Sequence, residues 1–163
     1  MATPQRSRVA ILSGAKKVIA EVGSYESNML DIAEQAQVAR ATVYNHFSDK
    51  EEMLVTLVES EISRLEGLAL AAESPVAALY TLSREISVDP ALRKMVVTDP
   101  LDIARFVTIT NHPLWRQVTT AMTNVFGPDS SSLIVHWLIG QIASPLSAEE
   151  SAQQASQLAS VIA

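Results

Sequence analysis

Within seven residues the chain sets out a guanidinium, a hydroxyl, a phenol, an amide and an imidazole: Arg40, Thr42, Tyr44, Asn45 and His46. No carboxylate lies among them. Groups of this kind donate and accept hydrogen bonds without forming a nucleophile–base pair, so their chemistry is recognition of a polar, anionic surface such as base edges and phosphates. Bond-breaking chemistry finds no foothold. The histidines His46, His112 and His136 are dispersed, and there is no GxSxG string, phosphate-cradling glycine loop or metal-ligand cluster. Cysteine is absent, which excludes disulfides, zinc fingers and thiol catalysis. An enzyme, a cofactor and a metal are therefore not expected.

The elements that must present these groups are two short helices with a tight break. The string NMLDIAEQAQVARATVYNHFSDKEE, residues 28–52, predicts one helix near Met29–Ala36 and another near Ala39–Phe47, with Gln37-Val38 between them. Two short helices joined this way form a rigid corner that offers one helix to a major groove. Ile32, Ala33, Ala36, Val38, Val43 and Phe47 supply the corner's core. With Val43 turned inward at about 100° per residue, Ala41, Thr42, Tyr44 and Asn45 face away, flanked by Arg40 and His46. A preceding helix over Val9–Gly23 carries Ile11, Leu12, Ala15, Val18, Ile19 and Val22 on one stripe, with Gly23 as its stop. Ser48-Asp49-Lys50-Glu51 reads as a capping box opening a helix to about Leu70, with Leu54, Leu57, Val58, Ile62 and Leu65 inward.

In the second half, proline marks the helix starts, because its missing N–H costs nothing in a first turn. Pro75, Pro90, Pro100, Pro113 and Pro128 place helices at roughly 75–88, 90–97, 100–110, 113–126 and 129–143. Ser74, Asp89 and Asp99 are positioned to cap three of them. Ser147-Ala148-Glu149-Glu150 is a capping box for a last helix over 147–162. The expected fold is all-α: an N-terminal three-helix helix-turn-helix domain over residues 1–50, then a helical-bundle domain over 51–163.

Apolar residues make up 48% of the 163, enough to bury a core. The net charge of −6 argues at first against a nucleic-acid partner. It is unevenly placed, however: residues 1–50 hold six basic against five acidic side chains, and the remainder six against thirteen. An acidic body leaves the N-terminal part as the only face tolerable to a phosphate backbone. Lys16 and Lys17 interrupt the first apolar run and no cleavage site follows, and Leu133–Ala143 is too short to span a bilayer. The expectation is a soluble cytoplasmic protein with no membrane partner.

Residues 11–51 resemble the tetracycline-repressor (TetR/AcrR) family of one-component bacterial regulators. The resemblance rests on Ile11-Leu12, Gly14-Ala15, Val18-Ile19 and Gly23, then Ile32-Ala33, Ala36, Val38, Thr42, Val43-Tyr44, Phe47, Lys50 and Glu51. It implies that Arg40, Thr42 and Asn45 contact base edges or the adjacent backbone, while Tyr44, His46 and Lys50 grip phosphates. It also implies that Asn28 caps the second helix with a phosphate in reach, and that Arg6 and Arg8 form a flexible basic arm. Two residues depart from the pattern. Gln37 replaces the usual turn glycine, at roughly 1 kcal/mol for a non-glycine at positive φ. Ala39 stands where Ser or Thr would cap the recognition helix, a loss of about 1 kcal/mol.

One recognition helix contacts few base pairs, so a homodimer on a near-palindromic double-stranded operator is expected. Its interface is placed on the last two helices, at Ile134, Trp137, Leu138, Ala152, Ala155, Ala159 and Ile162. Apolar residues within 133–142 cover nearly the whole circumference of the helix, and small residues step along the final helix. Met95, Arg105, Phe106, Trp115, Met122 and Trp137 are candidates to line a cavity for a small-molecule effector that would release a repressor from DNA. The alternative is a dimeric helical scaffold or ligand-binding protein that has lost sequence-specific DNA binding, for which Gln37, Ala39 and the weak basic charge argue.

Overall fold

The computed structural model describes residues 4–108 and 112–162, and all ten regular elements among them are α-helices. They are α1 (Pro4–Val22), α2 (Met29–Gln35), α3 (Arg40–His46), α4 (Lys50–Leu70), α5 (Pro75–Val88), α6 (Pro90–Thr98), α7 (Pro100–Thr108), α8 (Pro113–Phe126), α9 (Pro128–Ala143) and α10 (Ala148–Ile162). Each falls where periodicity and punctuation place it, within a few residues. The largest shift is α1, which begins at Pro4 rather than Val9. The expected end of the seventh helix, at 109–110, lies outside the described residues.

The chain forms two compact units, and the first is entered twice: it comprises residues 1–59 and 90–104. This differs from a single boundary at residue 50, because α6 packs on α1. Ile11, Leu12, Ala15, Val18 and Ile19 of α1 are buried with Ile32, Ala33, Val43, Phe47, Met53 and Leu57, and Ala91 of α6 completes the cluster. Gly14 allows α2 to approach closely, since a Cβ there would meet Ala36 at 2.9 Å. On α4, Met53 is fully buried and Leu57 nearly so, while Leu54 and Val58 of the expected stripe are half-buried.

The second unit holds residues 60–89 and 105–163. Here α5 packs on α9 and α10, and α8 packs on α9. Its core joins Leu79 and Leu82 of α5, Trp115 and Met122 of α8, Ile134, Val135 and Leu138 of α9, and Ala155 and Ala159 of α10. A buried polar cluster ties the same helices. The Ser83 hydroxyl lies 2.7 Å from Gln141 Oε1 and 2.8 Å from Ser151 Oγ, and the Ser87 hydroxyl donates to Gln141 Oε1 at 3.2 Å. Buried polar groups persist when they partner one another in this way. The box at the start of α10 forms as expected: Ser147 Oγ accepts from Glu150 N–H at 3.2 Å, and Glu150 Oε2 accepts from Ser147 N–H at 2.8 Å. Among the described residues no helix is long and apolar enough to cross a membrane.

Candidate nucleic-acid interface

The corner that presents α3 is built by local chemistry at each joint. Asn28 caps α2 as expected, its Oδ1 accepting from the N–H groups of Leu30 and Asp31 at 3.0 Å each. Its Nδ2 donates to Asp31 Oδ2 at 2.6 Å. The other end of α2 closes on Gln37, whose φ is 56°. Gln37 N–H donates to Glu34 O and Val38 N–H to Ala33 O, both at 3.0 Å. These two bonds are the Schellman closure, which calls for a left-handed residue where this chain has glutamine. The turn therefore forms with the strain that its sequence predicts. Ala39 then precedes α3 in an extended conformation with no side-chain cap.

Val43 and Phe47 anchor α3, at 0% and 1% exposed. Arg40, Ala41, Tyr44 and Asn45 are exposed on its outer face, and Thr42 and His46 are half-buried beside them. No residue of α3 is acidic. The Arg40 guanidinium lies 5.4 Å from the centre of the Tyr44 ring, one turn away, a cation–π stack that keeps the charge on the outer face. The structure thus gathers Arg40, Ala41, Thr42, Tyr44, Asn45 and His46 on one short helix whose outward face is cationic and hydrogen-bonding.

Three expectations about the surroundings need correction. Arg6 and Arg8 do not form a loose arm, because both lie within α1. Arg8 sits with its guanidinium 5.1 Å from the centre of the Phe47 ring, linking α1 to the end of α3. Lys50 does not offer its ammonium outward: Nζ donates to the carbonyls of Ser24, Tyr25 and Ser27 at 3.1, 2.9 and 2.9 Å. The box opening α4 is displaced by one residue. Asp49 Oδ1 accepts from Glu52 N–H at 2.8 Å, and Glu52 Oε2 accepts from both the hydroxyl and the N–H of Ser48 at 2.7 Å. The Ser48 hydroxyl, and next its N–H, hold the Glu52 carboxyl below the usual carboxylate range.

Sequence reasoning missed Asp99. Its position before Pro100 suggests a cap for α7, yet its carboxylate accepts from the N–H groups of Ser24 and Tyr25 at 2.9 and 3.1 Å. The local signal, a cap residue before a proline, points to the wrong partner.

The candidate effector residues do not line one space. Met95 lies on α6 against the first unit's core, because α6 belongs to that unit. Arg105 is exposed. Phe106, Trp115, Met122 and Trp137 do share the second unit's core. There Phe106 stacks on Trp115 at 5.2 Å, and Trp115 Nε1 donates to the Phe106 carbonyl at 2.8 Å. The candidate dimer residues are also redistributed. Ile134, Leu138, Ala155 and Ala159 are buried within the chain's own core, since α9 is flanked by α5 and α8 and α10 lies on α5. Trp137 and Ile162 are half-buried, and only Ala152 of that set is exposed. The outward residues of α9 instead include Leu133, His136, Gly140 and Ala143, and those of α10 include Ala152, Ser156 and Ser160. Among the described residues no group of three or more His, Asp or Glu is placed to hold a metal.

Residues 11–57, which span α1 to the first half of α4, match the family model for bacterial regulatory proteins of the tetR family. This stretch is similar to a tetR-family domain. Curated relatives match over the same region. The fatty acid metabolism regulator protein of Bacillus subtilis is 39% identical over 54 residues, 33% of this chain and 28% of that protein. The HTH-type transcriptional regulator TtgR of Pseudomonas putida is 34% identical over 70 residues, 43% of this chain and 33% of that protein. The matched stretch thus spans about a third of the relatives' own length. Solved tetR-family structures share the fold of the whole chain. The repressor AlkX of a Dietzia species has a TM-score of 0.66 at 20% identity, covering 95% of this chain and 92% of that one. A regulator of the same family from Mesorhizobium loti has a TM-score of 0.67 at 17% identity, covering 99% and 97%.

Proposed function

We propose that this chain is a one-component transcriptional regulator, a repressor, that binds a near-palindromic operator as a homodimer and leaves it when a small molecule binds. The observation that carries the DNA-reading part is the outer face of α3. Arg40, Ala41, Tyr44 and Asn45 stand exposed on a helix without a carboxylate, held from behind by the buried Val43 and Phe47. Arg40, Thr42 and Asn45 are assigned to base edges and the adjacent backbone, and Tyr44, His46 and Asn28 to phosphates. Lys50 is left out of this set because three loop carbonyls already take its donors. Contacts of the two kinds fail differently on mutation. Arg40→Ala or Asn45→Ala should relax preference at particular operator positions, whereas His46→Ala should weaken all sequences alike. Uniform loss from all three would refute the assignment.

The homodimer is proposed on the outward faces of α9 and α10, with Leu133, Gly140, Ala152 and Ser156 in place of the buried residues. Leu133 is 48% exposed, and a Cβ at Gly140 would meet nothing within 4 Å. An exposed stripe of small and apolar residues allows close helix approach. Release by an effector requires that the ligand bind one arrangement of the dimer more tightly than the other. The core around Phe106, Trp115, Met122 and Trp137 is the proposed place for it. A ligand that raised thermal stability and left operator affinity unchanged would sink the switching mechanism.

A further inference from the structure

The loop between α1 and α2 is gripped from two sides by opposite charges. Asp99, at the corner of α6 and α7, is 6% exposed and takes the N–H groups of Ser24 and Tyr25. Lys50, the first residue of α4, takes the carbonyls of Ser24, Tyr25 and Ser27. An anion drawing on N–H groups and a cation drawing on C=O groups of the same short segment polarise its peptides in the same sense, so each strengthens the other's bonds.

The loop has little freedom to move away. Ser27 is buried and its hydroxyl donates to Ser24 O at 2.7 Å. Gly23 has a φ of +89°, and a Cβ there would collide with Thr98 Oγ1 and Asp99 Oδ2. The Thr98 hydroxyl in turn donates to Asp99 Oδ2 at 2.8 Å, steadying the carboxylate. The segment ends at Asn28, the N-cap of α2. Whatever fixes residues 24–27 therefore fixes where α2 begins, and with it the corner that presents α3.

We infer that Asp99 and Lys50 are positioning residues for DNA recognition: acting through the peptide groups of residues 24–27, they hold the α2–α3 corner in its binding pose, and Lys50 grips no phosphate. The inference rests on the DNA-reading function proposed above.

The test uses the full chain and an operator duplex selected by the wild-type protein, titrated over a series of salt concentrations. The variants are Lys50→Met, Lys50→Arg, Asp99→Asn and the Lys50→Met/Asp99→Asn pair. A lost phosphate contact lowers the slope of log K against log salt by about 0.9. A lost positioning residue lowers affinity by shrinking the population in the competent pose and leaves that slope in place. Each single variant is expected to bind about tenfold more weakly, corresponding to roughly a tenth of molecules in that pose. The slope should stay at the wild-type value. The double variant should be scarcely weaker than either single one, because either loss opens the same clamp. Lys50→Arg, which keeps the charge but cannot seat one nitrogen among three carbonyls, should be as impaired as Lys50→Met. Thermal melts establish that each protein is folded at the assay temperature, and Lys50→Arg keeps the test alive if the methionine variant is not.

A slope reduced by about 0.9 in Lys50→Met, with Lys50→Arg near wild type, would overturn the inference. So would wild-type affinity in a folded Asp99→Asn, or losses that simply add in the double variant. If the wild-type protein selects no duplex at all, the function beneath the inference fails instead, and the two failures are told apart.

Discussion

Replacing Gln37 by glycine tests whether the corner is read correctly at its most strained point. Gln37 holds φ at 56° to close α2, with its own N–H on Glu34 O and that of Val38 on Ala33 O. A side chain in this region costs about 1–2 kcal/mol relative to its preferred conformations. Glycine removes that strain but brings roughly 0.4–1 kcal/mol of extra unfolded-state entropy. The net expectation for Gln37→Gly is a gain of about 0–1.6 kcal/mol, centred on ~0.8, or a Tm rise of roughly 2–3 °C at the centre for a chain of this size. Gln37→Val, β-branched at the same φ, should instead lose stability. Urea and thermal melts at one fixed protein concentration measure both, since the Tm of the proposed dimer would move with concentration. If glycine lost stability, or valine were as stable as glutamine, the left-handed closure of α2 would be wrong.

Three further outcomes follow from particular residues. Ala39→Ser should supply the missing cap of α3 and add about 0.5–1 kcal/mol in the same melts. Gly140→Leu places a large side chain on the open face of α9, so sedimentation should shift from dimer to monomer while circular dichroism stays helical. A Glu52 carboxyl held low by Ser48 contributes stability that is fully present above its ordinary value of 4.5 and lost as pH falls through its lowered value. Glu52→Gln should therefore lower the neutral-pH plateau, leave stability below the lowered value little changed, and so flatten the acid side of the stability–pH curve.

Much of this fold was legible because proline and capping residues announce helix starts locally. Pro75, Pro90, Pro100, Pro113 and Pro128 each begin a helix. The outer face of α3 was legible for a similar reason: one inward residue, Val43, fixes the direction of its neighbours. Local signals fail where a side chain has a distant alternative. Asp99 has the place of a helix cap but binds amides 75 and 74 residues away, and Lys50 faces carbonyls 26, 25 and 23 residues back. Periodicity also cannot say which side of an all-round apolar helix meets its own chain's core. On α9 the pattern points to Ile134 and Leu138 as interface residues, whereas the chain's own core claims them and leaves Leu133 and Gly140 outside.

Selection of wild-type protein against a random duplex pool at low salt tests the central claim most directly. The account predicts enrichment of a near-palindrome whose half-sites lie about 34–36 Å apart, or a multiple of that, with preferences that Arg40→Ala and Asn45→Ala erase at particular positions. A pool that emerges with no enriched sequence would contradict it, and would leave a helical scaffold that keeps the corner without reading DNA.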